Sequence, residues 1–117
     1  MGRLTTHVLD TTQGLPGDGI RVELFRLDGE AREKLGEAST NSDGRCDSPL
    51  LDGEAFTPGV YELVFHTGAY FARSGSGLPE PRFLDVVPIR FGIADAESHY
   101  HVPLLISPYS YSTYRGS

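Results

Sequence analysis

The sequence predicts an all-β fold, a sandwich of two sheets, on three observations. Short segments rich in β-branched and aromatic residues alternate apolar with polar positions. Clusters of Gly, Pro, Asn and Asp separate them at nearly even spacing, as in sandwiches built from seven or eight short strands. Only one stretch, GAYFARSG (68–75), has room for a helix, and then for one or two turns.

Taken in order, RLTTHVLD (3–10) carries Thr, Val and Leu and is stopped by the turn cluster TTQGLPGDG. IRVELFRL (20–27) alternates apolar with charged residues, the pattern of a half-buried strand. DGEARE supplies the next turn and KLGEAST (34–40) a third strand. NSDGR (41–45) is a turn with Asp-Gly at its centre. GVYELVFHT (59–67) is the strongest strand, with Val60, Glu62, Val64 and His66 on one face and Tyr61, Leu63, Phe65 and Thr67 on the other. FLDVVPIRFGI (83–93) contains Pro88, which cannot donate to a ladder and so marks a sheet edge or bulge. HYHVPLLIS (99–107) and YSYSTYRG (109–116) complete the set.

At 117 residues the chain is long enough for one domain with a real core, expected to span 1–117. Apolar residues make up 38%, a low share that leaves room for burial through self-association. The net charge of −6 with scattered Lys and Arg argues against nucleic acid, because phosphate binding needs a clustered basic face. No apolar run approaches a membrane span, so no membrane partner is expected. The single cysteine, Cys46, fits a reducing compartment, and MGRLTTHVLD has no hydrophobic signal region. A cytoplasmic location is the expectation.

The chemistry concentrates at the end of the chain. HYHVPLLISPYSYSTYRGS (99–117) interrupts reactive polar groups with the apolar run VPLLI, which needs burial. Side chains two apart on a strand share a face, so His99 and His101 point the same way. By the same rule Thr5, His7 and Leu9 share a face, and Ser110, Ser112, Tyr114 and Gly116 another. Taken singly, each feature has a plainer reading: a hydrogen-bonded strand histidine, ordinary Tyr-Ser sheet surface, a solvated Arg45, a small buried Cys46. A zinc site of His7, His99 and His101 is allowed by the spacing but not demanded by it, and no carboxylate stands at an obvious ligand spacing. No metal is therefore expected. The nucleophile elbow, the phosphate-binding glycine loop and the C-x-x-C motif are all missing.

LTTHVLDTTQGLPG, TNSDGR and HYHVPLLISPYSYSTYRGS together resemble the transthyretin-related proteins that act as 5-hydroxyisourate hydrolases, over nearly the whole chain from Leu4 to Ser117. The terminal Tyr-Arg-Gly-Ser is the most specific element, since transthyretins share SPYSYST but continue differently and have lysine where His7 stands. The resemblance implies a transthyretin-like (prealbumin-like) sandwich of two four-stranded sheets with a short helix near residues 68–74. It also implies a homotetramer with a central channel and active sites where two dimers meet. The matching catalytic positions are His7, Arg45, His101 and Tyr114, with Ser117 and His99 as supporting substrate-binding candidates. The implied activity is cofactor-free hydrolysis of 5-hydroxyisourate to 2-oxo-4-hydroxy-4-carboxy-5-ureidoimidazoline.

These residue types suit that reaction. Opening a ring amide requires a base for water and a donor for the carbonyl oxygen. A neutral imidazole can serve as base, and the planar guanidinium of Arg45 can stabilise developing negative charge. His7 and His101 are the expected base and proton-relay pair, with the division of roles open. The alternative is a transthyretin-like small-molecule carrier without catalysis, which predicts a channel free of converging histidines. Fold alone would not separate the two.

Overall fold

The first strand, β1 (Arg3–Asp10), shows how the sandwich is organised. Its even-numbered residues Leu4, Thr6, Val8 and Asp10 are buried, while Thr5, His7 and Leu9 remain partly open on the opposite face. The chain was described by a computed structural model, which covers residues 1–75 and 77–116. Two short strands follow β1's own turn cluster and the later loop: β2 (Leu15–Pro16) and β5 (Leu51–Asp52), both antiparallel to β1. Between them come β3 (Arg21–Asp28) and β4 (Ala31–Ser39), joined by a tight turn at Gly29, whose φ of 60° suits glycine. Next are β6 (Gly59–His66), the helix α1 (Thr67–Arg73), β7 (Val86–Ile93), β8 (His99–Ile106) and β9 (Tyr111–Thr113).

One sheet runs β4-β3-β6-β7 with antiparallel neighbours throughout. The other runs β2-β1-β8-β9 with β5 added beside β1. Its centre is a parallel pairing: β1 and β8 match along their full lengths, Arg3 opposite His99 and Asp10 opposite Ile106. The two inner faces meet in a core of Leu4, Val8, Val22, Leu24, Tyr61, Leu63, Phe65, Val87, Val102 and Leu104, among others. Burying each such side chain contributes roughly 1.5–3 kcal/mol, which sets the sheet faces. A one-residue slip of β1 would expose Leu4 and Val8 and bury His7.

The all-β sandwich, the helix and the edge position of Pro88, opposite Val64 on a strand that among the described residues pairs only with β6, agree with expectation. Four details differ. The sheet containing β1 has five strands, because β2 and β5 are two residues long and too short to show any alternation. β4 starts at Ala31, inside the segment assigned to a turn, since the Gly29 hairpin is tight enough to free those residues for pairing. The last strand shrinks to Tyr111–Thr113 because Ser107 and Ser110 close a turn, with Ser107 N–H donating to Ser110 O at 2.9 Å. β7 begins only at Val86, leaving Phe83 73% exposed.

Asp10, a conceivable metal ligand by its nearness to His7 in sequence, is turned into the interior instead. Its carboxylate accepts from Thr12 N (2.9 Å), Gln13 N (3.2 Å), Gln13 Nε2 (2.9 Å) and the Tyr70 hydroxyl (2.8 Å). That network ties the end of β1 to α1. Burial and the adjacent carboxylate push the Tyr70 hydroxyl up to about 12.

Candidate active site

The outward face of β1 and β8 carries the candidate groups because the two strands run parallel in register. Three rows cross it: Arg3 beside His99, Thr5 beside His101, His7 beside Pro103. The last two extend onto the chain's end. Leu104 opposite Thr113 and His101 opposite Gly116 share one register, which sets Tyr114 opposite Pro103 and in the row of His7.

Arg45 reaches this face through the 41–45 turn. Asn41 Oδ1 accepts from the backbone N–H of Asp43 (2.9 Å) and Arg45 (3.2 Å), the Asx geometry that NSDGR encodes locally. Gly44 has φ of 76°, and a Cβ there would stand 2.3 Å from Val8 O, so only glycine fits. Val8 N–H donates to Gly44 O at 2.8 Å, and His7 and Arg45 form a bridge, docking the turn on β1.

The hydrogen bonds restrict proton positions. His7 Nε2 lies 3.0 Å from the backbone oxygen of Asp43. A carbonyl only accepts, so His7 carries its proton on Nε2 and keeps a lone pair on Nδ1 when neutral. Thr5 Oγ1 lies 2.8 Å from both His99 Nε2 and His101 Nδ1. Burial, then the Arg45 guanidinium, holds His7 below the ordinary histidine value, outweighing the opposing pull of Asp43. Burial, Arg45, His99 and His7 together do the same for His101. Both imidazoles are therefore held neutral at neutral pH. Because both values are lowered in the folded state, their contribution to stability is present above about 6.5, the unfolded histidine value. It is lost as pH falls through the lower folded values.

A cleft of about 480 Å³, within the range of small-molecule sites, opens beside these rows. Arg3, Thr5, Arg45, Cys46, His99 and His101 line it. Burial and then Asp47 push the Cys46 thiol up, so it is no activated nucleophile.

The structure thus brings His7, Arg45, His99 and His101 together on one face; Arg45, His99 and His101 line the cleft, and His7 stands outside its lining, paired backbone to backbone with Arg45. Tyr114 stands opposite Pro103 by register, but it is 60% exposed, lines a separate cavity with Ile89, Phe91 and Tyr100, and its hydroxyl forms no hydrogen bond among the described residues. Ser117 lies outside the described residues. Sequence reasoning missed Arg3, Thr5 and Gly116 as members of the site. Thr5 and Arg3 were detectable as same-face neighbours of His7, but only the pairing with β8 reveals what they meet. Gly116 backs directly onto the His101 ring: a Cβ there would come 2.6 Å from the ring's Cδ2.

A two-sheet sandwich with histidines and a docked arginine on one outer face defines a transthyretin-type scaffold equipped with acid–base groups. The chain belongs to the HIUase/Transthyretin family, whose model matches residues 4–116. It is 63% identical to the 5-hydroxyisourate hydrolase 2 of Rhizobium meliloti over 99% of this chain and 97% of that one. Among solved structures, it superposes on the Klebsiella pneumoniae 5-hydroxyisourate hydrolase with a TM-score of 0.82 and 38% identity, covering 100% of both chains. It also matches an (S)-allantoin synthase with a TM-score of 0.93 and 50% identity over 99% of this chain, but spans only 44% of that longer protein. Among the described residues, no helix is long and apolar enough to cross a membrane.

Proposed function

We propose that this chain hydrolyses 5-hydroxyisourate to 2-oxo-4-hydroxy-4-carboxy-5-ureidoimidazoline by histidine-assisted attack of water on a ring amide carbonyl. The observation that carries the reading is the meeting of two neutral imidazoles with a guanidinium at the edge of one cleft. His7 and His101 form the base and relay pair. His7 would offer Nδ1, since Nε2–H is engaged by Asp43. Arg45 holds the urate-like edge of the substrate and stabilises the oxyanion that forms as water adds. Arg45 also keeps the imidazoles unprotonated until they take the water's proton. Tyr114, His99 and Ser117 orient the substrate. The chemistry needs no metal or organic cofactor. The protein works in the cytoplasm, where its lone Cys46 stays reduced.

The test is the ultraviolet spectrum of freshly generated 5-hydroxyisourate, with chelator present throughout. The protein is expected to collapse the spectrum faster than spontaneous decay. The acid limb of kcat/KM should lie below about 6.5, since the working imidazoles must be neutral and both are shifted down. Decay at the spontaneous rate would favour the carrier reading, and activity lost to EDTA and restored by zinc would favour a three-histidine metal site.

The active form is a homotetramer with its sites where two dimers meet. Support comes from the end of the chain: Tyr109, Tyr111 and Tyr114 are 59%, 43% and 60% exposed in the single chain. Large rings exposed together on one segment are what a second copy would cover. Sedimentation equilibrium should give four times 12.8 kDa. A monomer with full activity would end the assembly proposal.

A further inference from the structure

The pairing of β1 with β8 holds one hydroxyl between two imidazoles. Thr5 Oγ1 is 2.8 Å from His99 Nε2 and 2.8 Å from His101 Nδ1. A threonine hydroxyl has one proton, so it donates to at most one ring, and the other ring must present an N–H to it. The two remaining ring nitrogens, His99 Nδ1 and His101 Nε2, have no hydrogen-bond partner among the described residues. Both rings line the cleft. Three groups with geometry for proton exchange therefore stand in a chain beside the space a substrate would fill.

Fixed positive charge stands beside both rings, for Arg3 shares the row of His99. Arg45 bridges His7, whose row is next to that of His101, and the row of His99 lies one step further along the strands. A two-residue step on a strand is about 6.6 Å. Charge on His101 is opposed by Arg45, by His7 and by His99. The other titratable groups around the pair are Arg3 from β1, Cys46 and Asp47 from the loop above the cleft, and Arg115 from the tail, whose Nη2 donates to His99 O at 3.5 Å.

We propose that Thr5 is a positioning residue: its hydroxyl couples the tautomer of His101 to the protonation of His99, and so passes the proton taken from water from one ring to the other. This rests on the hydrolytic reading given above. In the step, with His101 as the base of its pair with His7, a water O–H bond breaks and His101 Nε2–H forms, while the hydroxide oxygen bonds to the carbonyl carbon. His101 Nδ1–H passes its proton to Thr5 Oγ1 as the hydroxyl's own proton moves to His99 Nε2. His101 ends neutral in its other tautomer, and His99 ends as the imidazolium. The reverse transfer delivers the proton to the departing ring nitrogen, and no further reactant is needed.

The experiment compares Thr5→Val, which keeps the shape but removes the hydroxyl, with Thr5→Ser, which keeps the hydroxyl. Thr5→Val should lower kcat by on the order of ten- to a hundredfold while KM changes by less than about threefold. Thr5→Ser should recover most of the loss. The second arm follows the ring ¹⁵N shifts of the ligand-free protein against pH. In the parent and in Thr5→Ser, His99 and His101 should titrate as a coupled pair, each ring's nitrogens responding to both steps; in Thr5→Val they should separate. A parental kcat in Thr5→Val, or independent titration of the two rings in the parent, would overturn the proposal. Should Thr5→Val fail to melt cooperatively, Thr5→Ala takes its place with the same expectations. A parent that leaves 5-hydroxyisourate decaying at its spontaneous rate would end the functional reading alone, and the titration arm would still decide the Thr5 coupling.

Discussion

Deleting residues 114–117 is expected to abolish hydrolysis while leaving a protein that still folds. The tail touches His101 twice. Gly116 N–H donates to His101 O at 2.7 Å, and the glycine's bare Cα lets the chain lie against the imidazole. Arg115 stacks on the core residue Tyr100, with its guanidinium carbon 4.1 Å from the ring centroid, and so pins the segment. Deletion removes the phenol of Tyr114 and these supports for the His101 ring together. The rate should fall by on the order of a hundredfold or more. Stability should fall much less. The lost cation–π contact contributes about 0.5–1 kcal/mol and the lost backbone hydrogen bond about 1 kcal/mol. β9 ends at Thr113, so its pairing with β8 survives, including the Thr113 hydroxyl donated to Pro103 O at 2.7 Å. Initial rates and melting temperatures of the deletion and the parent decide the matter. A deletion variant that turns over at the parental rate would remove the tail from the site. The point substitution Gly116→Ala isolates the packing effect: its methyl must displace the His101 ring, so activity should drop although every functional group remains.

His7→Lys is expected to have an effect of similar size for a different reason. An ammonium can donate to the Asp43 carbonyl in place of Nε2–H, so the 41–45 turn can stay docked. What disappears is the lone pair on Nδ1, and what appears is a cation beside Arg45. A protonated lysine cannot act as base, and the added positive charge makes protonation of His101 harder still, since Arg45 and His7 already oppose it. The loss in kcat/KM should be on the order of a hundredfold or more, with little change in melting temperature. The same substitution places the transthyretin side chain on this face, so a variant that hydrolyses at the parental rate would show that His7 is not part of the machinery.

Much of this arrangement was legible in the chain because it is governed by local rules. Strand alternation alone puts His99 with His101 and Thr5 with His7, since the period of two follows from backbone geometry. NSDGR encodes its own turn through the Asn41 side chain and a glycine at positive φ. Pro88 announces an edge because it lacks an N–H. The shorter features were invisible for the converse reason: two-residue strands such as β2 and β5 have no period to read.

The sequence by itself determined which residues share a face, which turns form and which family motifs the chain carries. Only the tertiary structure decided which faces meet. Thr5 is separated from His99 and His101 by 94 and 96 positions, and nothing within either strand states that they pair parallel and in register. That register follows from burying Leu4 and Val8 together with Val102 and Leu104 in the core shared with the opposite sheet. The docking of Arg45 beside His7 is decided the same way, by Gly44 closing on the backbone of Val8. Side-chain chemistry acts over a few ångströms and can be read along the chain, whereas strand partnership depends on the packing of the whole sandwich, and it is this partnership that turns separate histidines into one site.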